Sequence, residues 1–102
     1  MKNFKEKVWD FTKKIPRGRV VSYHDIARAV GEPRAYRAVG NALNKNIYKN
    51  IPCHRVVRSD GGIGGYNKGT NKKAELLRRE GVAIKRGIVN LDKCRWKKIY
   101  FR

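Results

Sequence analysis

The sequence predicts a mainly α-helical domain, winged helix-turn-helix-like, with a small β-hairpin wing. Three observations carry that reading. Two short stretches of helical apolar spacing meet across the tight turn Gly31-Glu32-Pro33, and two later apolar runs flank the pair Arg86-Gly87. Among 102 residues, 26 Lys and Arg stand against 8 Asp and Glu, a formal charge of +18 spread along the chain rather than gathered in a tail. A chain of this length is expected to form one domain over residues 1–102, since folding at that size removes roughly two thirds of the extended surface from water and supports one modest core.

The elements follow in order. Phe4, Val8 and Trp9, with Phe11 and Ile15 beyond, line one face of a helix running to about Lys14, closed by Pro16 and Gly18. Val20-Val21 leads into Ser22, an N-cap candidate, and Ile26, Ala27 and Val30 mark a short helix stopped by Gly31. Pro33 suits the first position of the next helix, which turns Ala35, Ala38, Val39, Ala42 and Leu43 inward and Arg34, Arg37, Asn41, Asn44 and Lys45 outward. Residues 22–45 therefore read as a helix-turn-helix; two ordinary packed helices with a solvated basic face fit the spacing equally well. The glycines at 61, 62, 64, 65 and 69 form a loop able to wall a pocket, though their spacing is neither a Walker nor a dinucleotide fingerprint. A helix from Asn71 to Glu80 presents Ala74 and Leu77, with Leu76 adjacent, and ends at Gly81. Residues 82–102 form the wing and tail, with Gly87 in the hairpin turn and Cys94 to Arg102 packing back on the body.

Because the lysines and arginines are interleaved with core-spaced apolar residues, the basic surface belongs to a folded body. Nucleic acid is the partner such a body favours, since neutralising phosphates releases counterions. A membrane partner is not expected: no basic helix presents a strong aromatic face and no run approaches spanning length. The N-terminus lacks a signal core, which points to a cytoplasmic protein, nucleoid-associated if prokaryotic; a monomer in solution is expected. Two cysteines, Cys53 and Cys94, and two histidines without paired ligand spacing predict neither a disulfide framework nor a metal site, and no cofactor. Cys94 reads as a packing residue.

The chemistry concentrates in residues 51–57, Ile51-Pro52-Cys53-His54-Arg55-Val56-Val57. A thiol is a nucleophile as its thiolate, and near pKa ~8.5 only a few per cent is ionised at neutral pH. Cys53 therefore needs a base or positive charge beside it, and His54 and Arg55 offer both.

Pro52-Cys53-His54-Arg55-Val56, preceded by Arg37-Ala38-Val39-Gly40 and Asn46, resembles the DNA-binding and active-site domain of O6-alkylguanine-DNA alkyltransferases over roughly residues 3–81. Such proteins move an alkyl group from guanine O6 to their own cysteine, once per molecule. The resemblance implies that Cys53 is the nucleophile, that His54 draws its proton through a water, and that Glu80 orients His54; alone, Glu80 would read as a helix-end surface charge. It implies that Asn46 braces the active-site turn and that Arg55 is structural, pairing with loop carbonyls or a carboxylate. The partner becomes double-stranded DNA containing O6-alkylguanine, whose base must leave the stack. Arg37 matches the finger that takes the vacated place, and Tyr23 the tyrosine that crowds the flipped nucleotide and hydrogen-bonds the leaving guanine. Without the family, Arg37 would read as a phosphate contact and Tyr23 as packing. Ala35, Ala38 and Gly40 supply the small residues for close minor-groove approach, with Tyr36 and Asn41 bulkier members of the same DNA-binding face. The backbone at Cys53 and Val56, Tyr66 beside the base, and Asn67 near guanine O6 complete the base pocket, which Lys68 narrows. The alternative is an alkyltransferase-like protein that binds alkylated DNA and flags it without transfer. Those proteins characteristically replace the cysteine with Trp or Ala, and this chain retains Cys53.

Overall fold

In the computed structural model, which describes residues 2–64 and 69–97, the first helix, α1 (Phe4–Lys13), begins with a reciprocal cap. The Asn3 side chain accepts the Glu6 N–H at 2.9 Å and the Glu6 carboxylate accepts the Asn3 N–H at 3.1 Å, satisfying two donors a helix start would leave open. Ser22 and Asp25 repeat the device, here buried, at the start of α2 (Tyr23–Ala29). Gly31, at φ +85°, ends α2: its N–H donates to Arg28 O at 3.0 Å and Glu32 N–H to Ala27 O at 2.8 Å, the paired carbonyl capture of a Schellman ending.

The next helix, α3 (Tyr36–Asn44), starts three residues later than Pro33 suggests. Pro33 instead occupies a turn closed by Ala35 N–H to Glu32 O at 2.9 Å, where its fixed φ is equally at home. With that correction α2 and α3 form the helix-turn-helix, packed on α1 through Val8, Ile26, Val39 and Leu43.

Two strands too short to show alternation escape sequence reading. β1 (Val21–Ser22) pairs in parallel with β2 (Val56–Val57), setting Val21 opposite Val56 and Ser22 opposite Val57. This pairing ties the segment after Cys53 to the chain entering α2. A second cluster of Val20, Val57, Ile63, Leu77, Val82 and Val89 packs α4 (Thr70–Arg79) beneath the wing. Leu77 is the core member of the expected pair, and Leu76 is only half-buried. Beyond α4, Gly81 at φ +90° repeats the Schellman ending, with Val82 N–H donating to Leu77 O and Gly81 N–H to Arg78 O, both at 3.0 Å.

The wing is the hairpin β3 (Ile84–Lys85) and β4 (Ile88–Val89). Its two turn residues, Arg86 and Gly87, both take positive φ, 53° and 74°, as a two-residue turn matched to strand twist requires. The glycine loop docks the wing by backbone: Val89 N–H donates to Gly61 O at 2.8 Å and Ile63 N–H to Gly87 O at 3.0 Å. A Cβ on Gly61 would stand 2.6 Å from Val89 O, so the contact needs glycine there. A four-residue helix, α5 (Leu91–Cys94), follows, capped by Asn90; it is too short for periodicity to announce. The chain then returns beside Val20, which donates to Cys94 O and accepts from Trp96 N–H, both at 2.9 Å. The tail from residue 98 onward lies outside the described residues. Among the described residues no helix is long and apolar enough to cross a membrane.

Candidate active site

Pro52, with φ −79° and ψ 69°, is the centre of a tight turn in which Cys53 N–H donates to Ile51 O at 2.8 Å, the geometry of an inverse γ-turn that proline favours. A single 3₁₀ turn, Cys53–Arg55, follows, and Val56 N–H donates to Cys53 O. Cys53 is thereby carried into the core at 9% exposure. Its Sγ accepts from Asn46 Nδ2 at 3.2 Å and lies 3.9 Å from Leu43 O. Asn46 also clamps its own loop, donating to Tyr48 O at 3.0 Å and accepting from Tyr48 N–H at 2.9 Å. One side chain thus joins the end of α3 to the thiol.

His54 and Arg55 both reach the end of α4. His54 Nε2 lies 2.9 Å from Glu80 Oε2; Arg55 grips the same carboxylate twice, Nε to Oε1 at 2.9 Å and Nη2 to Oε2 at 2.7 Å, and donates from Nη1 to Ile15 O at 2.7 Å. The Glu80 side chain is only 7% exposed. Burial alone would raise its pKa, but hydrogen bonds from Arg55 and His54 outweigh that and hold it at about 2. Burial pushes the His54 imidazole below its ordinary value, with Glu80 opposing, so His54 is neutral at pH 7. An ionised carboxylate only accepts, so Nε2 carries the proton and the lone pair stands on Nδ1. That is the tautomer a general base requires, held by a carboxylate as in hydrolytic triads.

Tyr23, the first residue of α2, packs on the apolar core cluster that contains Cys53. Burial, and then the charge of Cys53, raise its hydroxyl pKa above the usual value, which keeps it a donor. A Cβ on Gly64 would lie 3.4 Å from the Tyr23 hydroxyl oxygen, so the glycine loop brushes the phenol. Lys73 on α4 is fully buried and its Nζ lies 5.9 Å from the Tyr23 ring centroid. Burial lowers its pKa to about 8, against an upward pull from Cys53.

Apart from Tyr23, the predicted DNA-binding residues lie on or beside α3. Tyr36, Arg37 and Asn41 are exposed on α3, while Ala35 and Gly40 are half-buried beside them. Val56 is buried in β2. Tyr66, Asn67 and Lys68 lie outside the described residues. Among the described residues no cluster of three His, Cys, Asp or Glu could hold a metal ion.

The profile of the family described as "6-O-methylguanine DNA methyltransferase, DNA binding domain" matches residues 3–82. The chain belongs to that family. It is 50% identical over 78 residues to the bifunctional transcriptional activator/DNA repair enzyme Ada of Escherichia coli (strain K12), covering 76% of this chain and 22% of Ada. Against the methylated-DNA--protein-cysteine methyltransferase of Metallosphaera sedula it is 49% identical over 84 residues, covering 81% of this chain and 52% of that protein. Among solved structures it is similar to S. pombe Atl1 in complex with damaged DNA containing O6-carboxymethylguanine, with a TM-score of 0.84, 36% identity, and 95% and 99% of the two chains covered. It also resembles Mycobacterium tuberculosis OGT in complex with DNA, with a TM-score of 0.75, 41% identity, and 79% and 50% covered. The chain therefore spans about half the length of methyltransferase relatives such as that of M. sedula.

Within this methyltransferase-family domain, Lys73 is the residue at the cluster that sequence reasoning missed. A lysine on an amphipathic helix reads as solvated, yet Lys73, Leu77 and Glu80 follow the i, i+4, i+7 spacing of one face. Leu77 is buried there, and that spacing was the available signal.

Proposed function

We propose that this chain takes the alkyl group from O6-alkylguanine in double-stranded DNA onto Cys53, irreversibly and without metal or cofactor. The observation that carries the reading is the buried thiol beside a neutral histidine that is oriented by Glu80, whose carboxylate Arg55 keeps ionised. The extruded base enters beside Tyr23. His54 accepts the Cys53 proton through a water, and the thiolate attacks the alkyl carbon. An S–C bond forms, the C–O6 bond breaks, and its electron pair leaves on the purine, which the protonated Tyr23 hydroxyl stabilises by hydrogen bonding. The amide hydrogens of Cys53 and Val56 are engaged internally, so reading of the guanine edge by this backbone falls to carbonyl oxygens. Tyr66 and Asn67 would flank the base from the glycine loop. Arg37 fills the vacated stack while Ala35, Tyr36, Gly40 and Asn41 face the minor groove.

The similarity to Atl1 along nearly the whole of both chains favours a second reading, a lesion-binding protein that flags alkylated DNA without transfer. Cys53 decides between them. The wild type should take up label from a [³H]methyl-labelled O6-methylguanine duplex, which a flagging protein would not, whereas Cys53→Ala should bind that duplex equally and take up none. Equal incorporation by the variant would remove Cys53 as the nucleophile.

A further inference from the structure

His24 and Tyr36 form a feature that the transfer chemistry leaves unused. Their rings stack face to face, centroids 4.1 Å apart and planes 20° apart, joining the first turn of α2 to the first residue of α3. His24 Nδ1 is buried without a hydrogen-bond partner among the described residues, so the imidazole is held by its face and not by a polar anchor. Tyr36 remains 37% exposed. It precedes Arg37, which lies about 100° further round the helix, and it stands one turn before Gly40, where a Cβ would lie 3.9 Å from the Tyr23 ring. Tyr36 thus sits on the side of α3 that faces Tyr23.

A fixed, half-exposed aromatic ring on a basic surface is a stacking platform for a base, and fixing it beforehand removes ordering cost at binding. Building on the reading that this chain extrudes a damaged base, we propose that Tyr36, braced by His24, is a specificity-determining residue: its ring walls the passage from the duplex to Tyr23 and Cys53 and stacks on the displaced nucleotide. Arg37 then holds the gap in the duplex and Tyr36 holds what came out of it. The division of labour makes Tyr36 matter more for displaced nucleotides than for intact duplex, whose minor groove it also faces. Arg34, exposed in the preceding turn, serves as the contrast, since a phosphate contact supports both DNAs alike.

The test is equilibrium binding of the full chain to a duplex with one O6-methylguanine and to its unmodified twin, together with fluorescence of a 2-aminopurine placed beside the lesion. Wild type should prefer the lesion. Tyr36→Ala should cut that preference roughly tenfold, as the loss of one base–aromatic stack does, and reduce the 2-aminopurine signal, whereas Tyr36→Phe keeps both. Arg34→Ala should weaken both DNAs equally and leave the preference intact. A Tyr36→Ala protein that keeps its lesion preference, or loses affinity for both duplexes equally, overturns the proposal for Tyr36 and leaves the transfer reading standing. A wild type with no lesion preference refutes the extrusion reading and this proposal together, a failure seen before any variant is made.

Discussion

The cluster around Cys53 and the outer face of α3 handle charge in opposite ways. In the cluster Arg55, Glu80 and His54 are largely buried, each hydrogen-bonded to another, and the one carboxylate receives three contacts. On α3 and its turn, Arg34, Arg37 and Lys45 are exposed. Interior charges set the protonation state of neighbours because screening there is weak; surface charges act on a distant polyanion and are damped by salt. On the proposed reading one chain uses guanidinium both to hold a base ready and to collect phosphates, and the two uses should separate under mutation.

The largest separation is expected at Glu80. Glu80→Gln leaves Arg55 half-buried and His54 without its orienting carboxylate, and unfolding in urea should show a loss of about 3 kcal/mol. Reaction of Cys53 with an O6-methylguanine duplex should slow by a hundredfold or more. The wild-type contribution has a defined pH range. Because the folded pKa of about 2 lies below the ordinary 4.5, this stabilisation is complete above pH 4.5 and disappears as the pH falls toward 2. Unfolding curves whose midpoint does not move across that range would show that the carboxylate is not held as described.

Lys73 should behave in the opposite sense. Its folded value of about 8 lies below the ordinary 10.5, so its burial costs about 3 kcal/mol in full below pH 8, and the cost is relieved as the pH rises to 10.5. Lys73→Met should raise the thermal midpoint at pH 7 and flatten the pH dependence between 8 and 10.5. The same variant withdraws a positive charge from Cys53, so iodoacetamide should label the thiol more slowly at neutral pH. A variant less stable than wild type would mean that Lys73 contributes a net favourable contact.

The wing docking gives an intermediate effect. Gly61→Ala places a Cβ against Val89 O in a residue already at φ +90°, and should cost about 2 kcal/mol in urea denaturation. The smallest expected stability change is on the outer face of α3. Lys45→Ala should alter stability by less than about 0.5 kcal/mol, yet reduce the slope of log affinity against log salt by about 1. A stability loss comparable with that of Glu80→Gln would erase the contrast between the two regions.

How much was legible in the sequence follows the same division. The helices, the Ser22 cap, the Gly31 and Gly81 endings and the Arg86-Gly87 hairpin are local signals, and the structure repeats them. Pro33 misled because proline suits a turn as well as a helix start. The pairing of Val21 with Val56 was invisible, since two-residue strands have no period to read. At the site, Pro52-Cys53-His54-Arg55 stands out as an apolar run carrying reactive groups. Glu80, 26 residues from His54 in sequence, became a candidate partner through family resemblance alone. Lys73 stayed hidden because burying an ammonium runs against what its residue type predicts. Long-range contacts between polar residues leave no periodic trace.

The most direct measurement is the intact mass of the chain, with peptide mapping, after incubation with a duplex containing one O6-methylguanine. The expected result is the gain of one methyl group, confined to the peptide bearing Cys53 and absent with the unmodified duplex. An unchanged mass on a protein that still binds the lesion duplex preferentially would contradict transfer and leave a lesion-recognition protein in its place.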